Sequence, residues 1–171
     1  MMRALAVVLA VLLTVSGCGG TPESTTTSKE DGHVIDIANL PDIEQTRAQM
    51  LDLIERVRAE VTRIAPATDP WQWGGSEGNA GCAVDTKDGQ KGASRFLRKL
   101  ASATPLTDAQ WDEAFPVVRR LAADEGLKNV SAPQNSSGNH DARFTSDDGL
   151  ELVFGSRDAA LITGAILCRR S

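Results

Sequence analysis

The stretch from Asn135 to Asp141 carries Ser136, Ser137, His140 and Asp141. These are the ingredients of acyl transfer: a hydroxyl nucleophile, an imidazole base and a carboxylate to orient it. Neighbours in sequence are not a triad in space, however, and no Gly-x-Ser-x-Gly elbow is present to expose a serine. His140 is therefore expected as a surface histidine or a binding contact, with a cryptic hydrolase site around it as the alternative. Asp147 and Asp148 could be a carboxylate pair or cation ligands, but Gly149 after them makes a hairpin turn the better explanation. Lys91, Arg95, Arg98 and Lys99 form the basic patch of the chain, suited to an anionic ligand if they converge and to solvent if they do not. Trp71 and Trp73 flank Gln72 before Gly74 and Gly75. They are expected to face opposite sides of an extended segment, one plugging the core and the other partly exposed for binding. His140 is the single histidine of the folded region, and neither four clustered zinc ligands, a complete calcium loop nor a phosphate-binding glycine loop is visible. No metal and no cofactor is expected. Asn135-Ser136-Ser137 fits a glycosylation pattern.

The cysteines depend on the N-terminus. Arg3 precedes an apolar run from Ala4 to Val15, too short to span a bilayer stably and built like a secretory signal. Val15-Ser16-Gly17-Cys18 closes it and resembles the lipobox of bacterial lipoproteins, in which the cysteine receives a diacylglyceryl group, with acyl chains such as palmitate, and becomes the first mature residue. Two acyl chains, at roughly 0.8 kcal/mol per buried methylene, make a firm anchor where one would be marginal. Assigning Cys18 to the lipid leaves Cys82 and Cys168 as a natural pair in a compartment that permits disulfides. Cleavage after residue 17 removes Arg3 from the 18 basic residues, leaving 17 against 23 acidic ones. That acidity argues against nucleic acid and against a polybasic lipid contact. Tyrosine is absent and aromatics are few, which disfavours an aromatic-lined groove.

These residues need elements to position them. Residues 18–40, with Thr21-Pro22-Glu23-Ser24-Thr25-Thr26-Thr27-Ser28, read as a polar tether without a core of its own, holding the folded part off the bilayer. Residues 41–171 read as one domain. Asp42-Ile43-Glu44-Gln45 is a capping box. Ile43, Met50, Ile54, Val57, Val61 and Ile64 follow at alternating steps of three and four, with Arg47 in the missing place, so a helix is expected over about 42–65. Asp52 with Arg56, Glu55 with Arg58 and Glu60 with Arg63 support it from its outer faces. Residues 81–85 read as a short strand and 87–89 as a turn. Residues 94–101 fit either a short helix or a sheet edge. Thr107-Asp108-Ala109-Gln110 is a second capping box, with Leu106 stapling onto Trp111. Its helix buries Trp111, Phe115, Val118 and Ala122, bends at Pro116 and ends at Gly126. Beyond Leu127 the period becomes two: a strand near 128–131, a loop over 134–139, a hairpin around 147–149 and a last strand over 159–168. The economical architecture is α+β: a two-layer sandwich with two main helices packed on one face of a mostly antiparallel sheet.

The chain resembles the small LppA-like lipoproteins of mycobacteria and related actinobacteria. The resemblance rests on the lipobox at Val15 to Cys18, the polar tether, Met50-Leu51 in the first helix, the connection at Trp71 to Trp73, Cys82 soon after it and Cys168 near the end. It implies an exported α+β lipoprotein without assigned catalytic residues. The expected function is a non-catalytic binding or interaction module at the cell envelope. It would be membrane-bound through its N-terminal lipid on the extracytoplasmic side, with an envelope protein or a small ligand as partner. An envelope hydrolase near His140 and a plain spacer are the competing readings.

Overall fold

A computed structural model of the chain describes residues 35–82, 89 and 91–171. The leader, the lipobox with Cys18, residues 19–34 of the expected tether and most of the strand and turn expected at 81–85 and 87–89 lie outside the described residues, whereas residues 35–40 of that tether are part of the domain, with Ile35 and Ile37 buried.

Helix α1 spans Ile43–Ile64. Asp42 accepts from the Gln45 amide at 2.8 Å and Gln45 Oε1 accepts from the Asp42 amide at 3.2 Å, closing the capping box. Its inward stripe is Ile43, Thr46, Met50, Leu53, Ile54, Val57 and Val61. Each fully buried aliphatic here contributes roughly 1.5–3 kcal/mol against exposure. The three expected ion pairs form along its outside. Arg47, the polar interruption of the stripe, makes a bidentate pair with Glu77 at 2.7–3.0 Å.

Helix α2 spans Asp108–Asp124 and opens with a second complete capping box, Thr107 with Gln110. It buries Trp111, Ala114, Val118 and Ala122, while Phe115 is only partly covered. At its end Gly126 takes φ +87°, and the Gly126 and Leu127 amides donate to Ala123 and Ala122. This pair of bonds satisfies carbonyls that the last turn would otherwise leave open.

Eight strands complete the domain: β1 Trp71–Gly74, β2 Gly78–Gly81, β3 Ala93–Phe96, β4 Lys99–Ser102, β5 Asn129–Ser136, β6 Asn139–Thr145, β7 Leu150–Ser156 and β8 Ala160–Arg169. All pairings are antiparallel, in the order β1-β4-β8-β7-β6-β5, with β3 also on β8 and β2 on β3. The ambiguous 94–101 segment is therefore strand, interrupted at Leu97-Arg98. The expected loop at 134–139 is also strand: β5 runs to Ser136 and turns through Ser137-Gly138 directly into β6.

Both helices pack on one face, over Leu100, Ala142, Phe144, Leu152, Phe154, Ile162 and Ile166. The α+β two-layer architecture is borne out. Gly164 lies on this face in β8. A Cβ there would stand 2.9 Å from Met50 Cε and 2.9 Å from the Glu151 carbonyl, so glycine lets α1 settle against the sheet. The other face carries no helix among the described residues. Cys82 and Cys168 are joined by a disulfide, Cα atoms 5.2 Å apart, and Ile35 and Ile37 pack beside it.

Candidate functional site

The His140 neighbourhood differs from both sequence expectations. Its ring is 6% exposed, not a surface group. It stacks on Trp111 with centroids 4.7 Å apart and planes at 10°, and Trp111 also stacks on Phe154 at 4.6 Å. Nε2 lies 2.8 Å from Asp108 Oδ1 and Nδ1 lies 3.0 Å from Asn135 Oδ1. A carboxylate only accepts, so Nε2 carries hydrogen; Nδ1 then donates to Asn135 or, with the amide turned over, accepts from it.

Asp108 is the first residue of α2, where an anion suits the exposed amides of the helix end. Its carboxylate also accepts from Ser137 Oγ at 2.6 Å and from the Gly138 amide at 2.8 Å. The Ser137 hydroxyl, then the Gly138 amide, then His140 hold its carboxyl down at about 2. The group therefore pins the β5–β6 hairpin to the start of α2. It does not have the order of a hydrolytic triad, which needs a hydroxyl on the imidazole nitrogen opposite the carboxylate. Here Ser137 is on the carboxylate, and an amide faces that nitrogen. The carboxylate that His140 meets is 32 residues away; Asp141, its sequence neighbour, points to the opposite sheet face.

Trp71 and Trp73 correct another expectation. Residues two apart in a strand share a face, and these pair with Ser102 and Leu100 on the core side. Both pack against the core. Trp71 Nε1 donates to Thr62 Oγ1 at 3.0 Å, fixing β1 to α1. Trp73 has the Arg98 guanidinium 5.4 Å from its ring centre, within cation–π range. Arg95 donates to Glu44 at 2.7 Å and to Asn79 at 2.9 Å. Two of the four basic residues are thus engaged in holding strands to each other and to α1, with Lys91 and Lys99 exposed. The Trp–Arg group and His140 do not converge, because β8 and β7 separate β4 from β6.

The turn at Asp147-Asp148-Gly149 is observed, and it has a partner that the sequence did not announce. Arg169 is 1% exposed; Nη2 donates to Asp148 Oδ2 and Nη1 to the Asp148 carbonyl, each at 2.7 Å. Burial pushes this guanidinium's pKa down, against the opposing pull of Asp148.

The largest concave feature among the described residues opens on the opposite sheet face and counts His140 in its lining. Ala101, Leu161, Gly155 and Asp141 form one cross-strand row on the helix-free face, and Thr163, Val153 and Arg143 the next. They floor an open depression of about 690 Å³ rimmed by Lys99, Arg157 and Glu151. Its centre is small or apolar and its rim mixed in charge, which suits a docking partner more than a buried small substrate. Alongside is an apolar groove of about 470 Å³, lined by Phe96, Leu150, Ala165 and Leu167 with Glu151 shared between the two. No sequence motif marked these positions; the signal was the alternate residues of β7 and β8, legible only once the strand register is known.

The described domain is a disulfide-tied α+β sandwich with an open sheet face. The model of the LppA family, described as a lipoprotein confined to pathogenic Mycobacterium, matches residues 19–171, and the chain belongs to that family. Two crystal structures are similar in outline. One is of a DUF4853 family protein from Actinomyces odontolyticus, 9% identical, TM-score 0.47, covering 81% of this chain and 75% of that one. The other is of LppA from Mycobacterium tuberculosis, 18% identical, TM-score 0.46, covering 72% of this chain and 76% of that one. No curated protein matches the chain.

Proposed function

We propose that the chain is an envelope lipoprotein, anchored through Cys18 on the extracytoplasmic side, whose folded domain is a non-catalytic binding module using the helix-free sheet face. The observation that carries the binding reading is the contrast between the two faces of the sheet. His140 is buried, stacked and hydrogen-bonded on both ring nitrogens to Asp108 and Asn135, whereas the face over Ala101, Val153, Gly155 and Leu161 is open. The family supports the lipoprotein class, and the lipobox motif supports Cys18 as its anchor.

Pull-down from envelope extracts tests the module. Wild-type protein is expected to retain a discrete partner that a Val153→Glu, Leu161→Glu variant loses at least tenfold, both proteins being equally folded. Equal retention by wild type and variant, or no retained species, overturns the reading. For the anchor, Cys18→Ala is expected to move the protein from the membrane fraction into the medium. Continued tight membrane association of that variant contradicts it.

A further inference from the structure

On the helix-free face Gly155 stands between Leu161 and Asp141 in one cross-strand row, and Val153 stands between Thr163 and Arg143 in the next. Glu151, opposite Ala165, belongs to the row beyond Val153, and Arg157, whose amide donates to Ala159, lies beyond Gly155. Asp141 is half-buried, and its Oδ1 is shielded from solvent without a hydrogen-bond donor among the described residues. Gly155 leaves a hollow beside it, since a Cβ there would stand 4.0 Å from that oxygen. Arg143 is 47% exposed and meets Glu151 through one nitrogen at 3.5 Å, which leaves its other donors available.

This pattern is complementary to itself. Two sheets can stack about 10 Å apart, related by a two-fold axis that lies between them and crosses the strands midway between the Gly155 and Val153 rows. Each side chain of one row then faces the other row of the same strand in the second copy, and every contact is made twice. Val153 enters the hollow over Gly155, Leu161 meets Thr163, and Asp141 meets the free side of Arg143. Glu151 falls on Arg157; both keep their own partners, Arg143 and Asp158, and join them into one network. Lys99, which precedes the Leu100–Ile162 pair, falls on the neutral Ala101. An axis along the strands between β7 and β8 would instead set Arg143 on Lys99, and like charges brought together select against that arrangement. The six strands of the sheet path and four such rows measure about 29 by 27 Å, roughly 700–800 Å². A stable interface takes about 800 Å² from each partner.

We infer that the helix-free face docks onto the same face of a second copy of this chain, with an Asp141–Arg143 ion pair on either side of the Val153–Gly155 contacts. The inference rests on the reading of this face as the binding surface and names its partner.

The test uses two full-length copies with different C-terminal tags, co-expressed and recovered from the envelope in mild detergent. Wild-type copies are expected to co-purify. Asp141→Arg paired with itself sets arginine on arginine, and Arg143→Asp paired with itself sets aspartate on aspartate. Each should lower co-purification at least tenfold, with the disulfide mass and thermal transition confirming the fold. Asp141→Arg paired with Arg143→Asp restores opposite charges at both contacts and should recover at least half of the wild-type level. A merely structural role for either residue would not give that rescue. Wild-type copies that do not co-purify, single variants that co-purify undiminished, or a mixed pair no better than the single variants overturns the self-docking. If a different envelope protein is then still retained by wild type and lost by the Val153→Glu, Leu161→Glu variant, the choice of partner alone falls. If that pull-down retains nothing, the binding reading falls with it.

Discussion

Removing the Cys82–Cys168 crosslink should cost this domain a large share of its stability, and the size can be worked from the chain. The bond closes a loop of sequence separation 86. The loop-closure entropy of the unfolded chain makes such a bond worth about 4.5 kcal/mol at 25 °C. A domain of this size typically has a net stability of only about 5–15 kcal/mol. In the Cys82→Ala, Cys168→Ala protein the midpoint in guanidinium chloride should fall by about 1–2 M, taking a slope of a few kcal/mol per M. Cys168 is fully buried and Ile35 and Ile37 pack beside the bond, so the void left by two sulfurs adds to the entropic loss. Reducing the wild-type protein isolates the entropic part and should give a smaller shift in the same direction. Amide exchange at Ile35 and Ile37 should accelerate in both cases. A loss below about 1 kcal/mol in the double variant would refute the reasoning, because the unfolded chain would then not be the state that the bond restricts.

Acid stability should report on Asp108. Its folded carboxyl titrates at about 2 against an ordinary value of 3.8. The unfolded chain therefore takes up the proton first, and the stabilisation is complete above about pH 4 and lost as pH falls toward 2. Asp108→Asn should flatten that part of the stability–pH curve and raise hydrogen exchange in the β5–β6 turn; an unchanged slope would contradict the pinning role. Gly164→Ala should destabilise by about 1–3 kcal/mol through overpacking against Met50 and the Glu151 carbonyl, measured by thermal unfolding, and a neutral result would mean that α1 yields. Arg169→Ala, which opens a void and removes one of the two donors to the Asp148 carboxylate, should cost about 1–3 kcal/mol, with Asp148→Asn milder because the acid is partly exposed and its carbonyl still accepts.

Both helices were legible because their signals are local. Asp42 with Gln45 and Thr107 with Gln110 mark each start within four residues, and the apolar stripes repeat at the period of a helix. The cysteine pair was readable by arithmetic once Cys18 was set aside. The segment at 94–101 was ambiguous for a physical reason: Phe96, Leu97 and Leu100 satisfy a helical spacing as well as an interrupted strand. β5 was understated because all eight residues are exposed, leaving no alternation to read. The tryptophan pair was misjudged by its period, since i and i+2 lie on one side of a strand.

The candidate site was harder to read than the fold. His140 could be singled out, but the Asp108 carboxylate and the Trp111 ring that decide its role come from α2, and nothing in either local pattern joins them. Arg169 near the C-terminus reads as an ordinary solvated cation until Asp148 is brought to it by the β7–β8 pairing. The open face needed the register of four strands before Ala101, Leu161, Gly155 and Asp141 became a single row.

The most direct test of the binding module is a photo-cross-linking amino acid placed at Leu161 in cells, compared with the same residue placed at Arg63 on the outer side of α1. The open-face position is predicted to give a discrete adduct that Val153→Glu suppresses and the α1 position does not give. The same adducts from both positions, or none from Leu161, would contradict the assignment of function to the helix-free face.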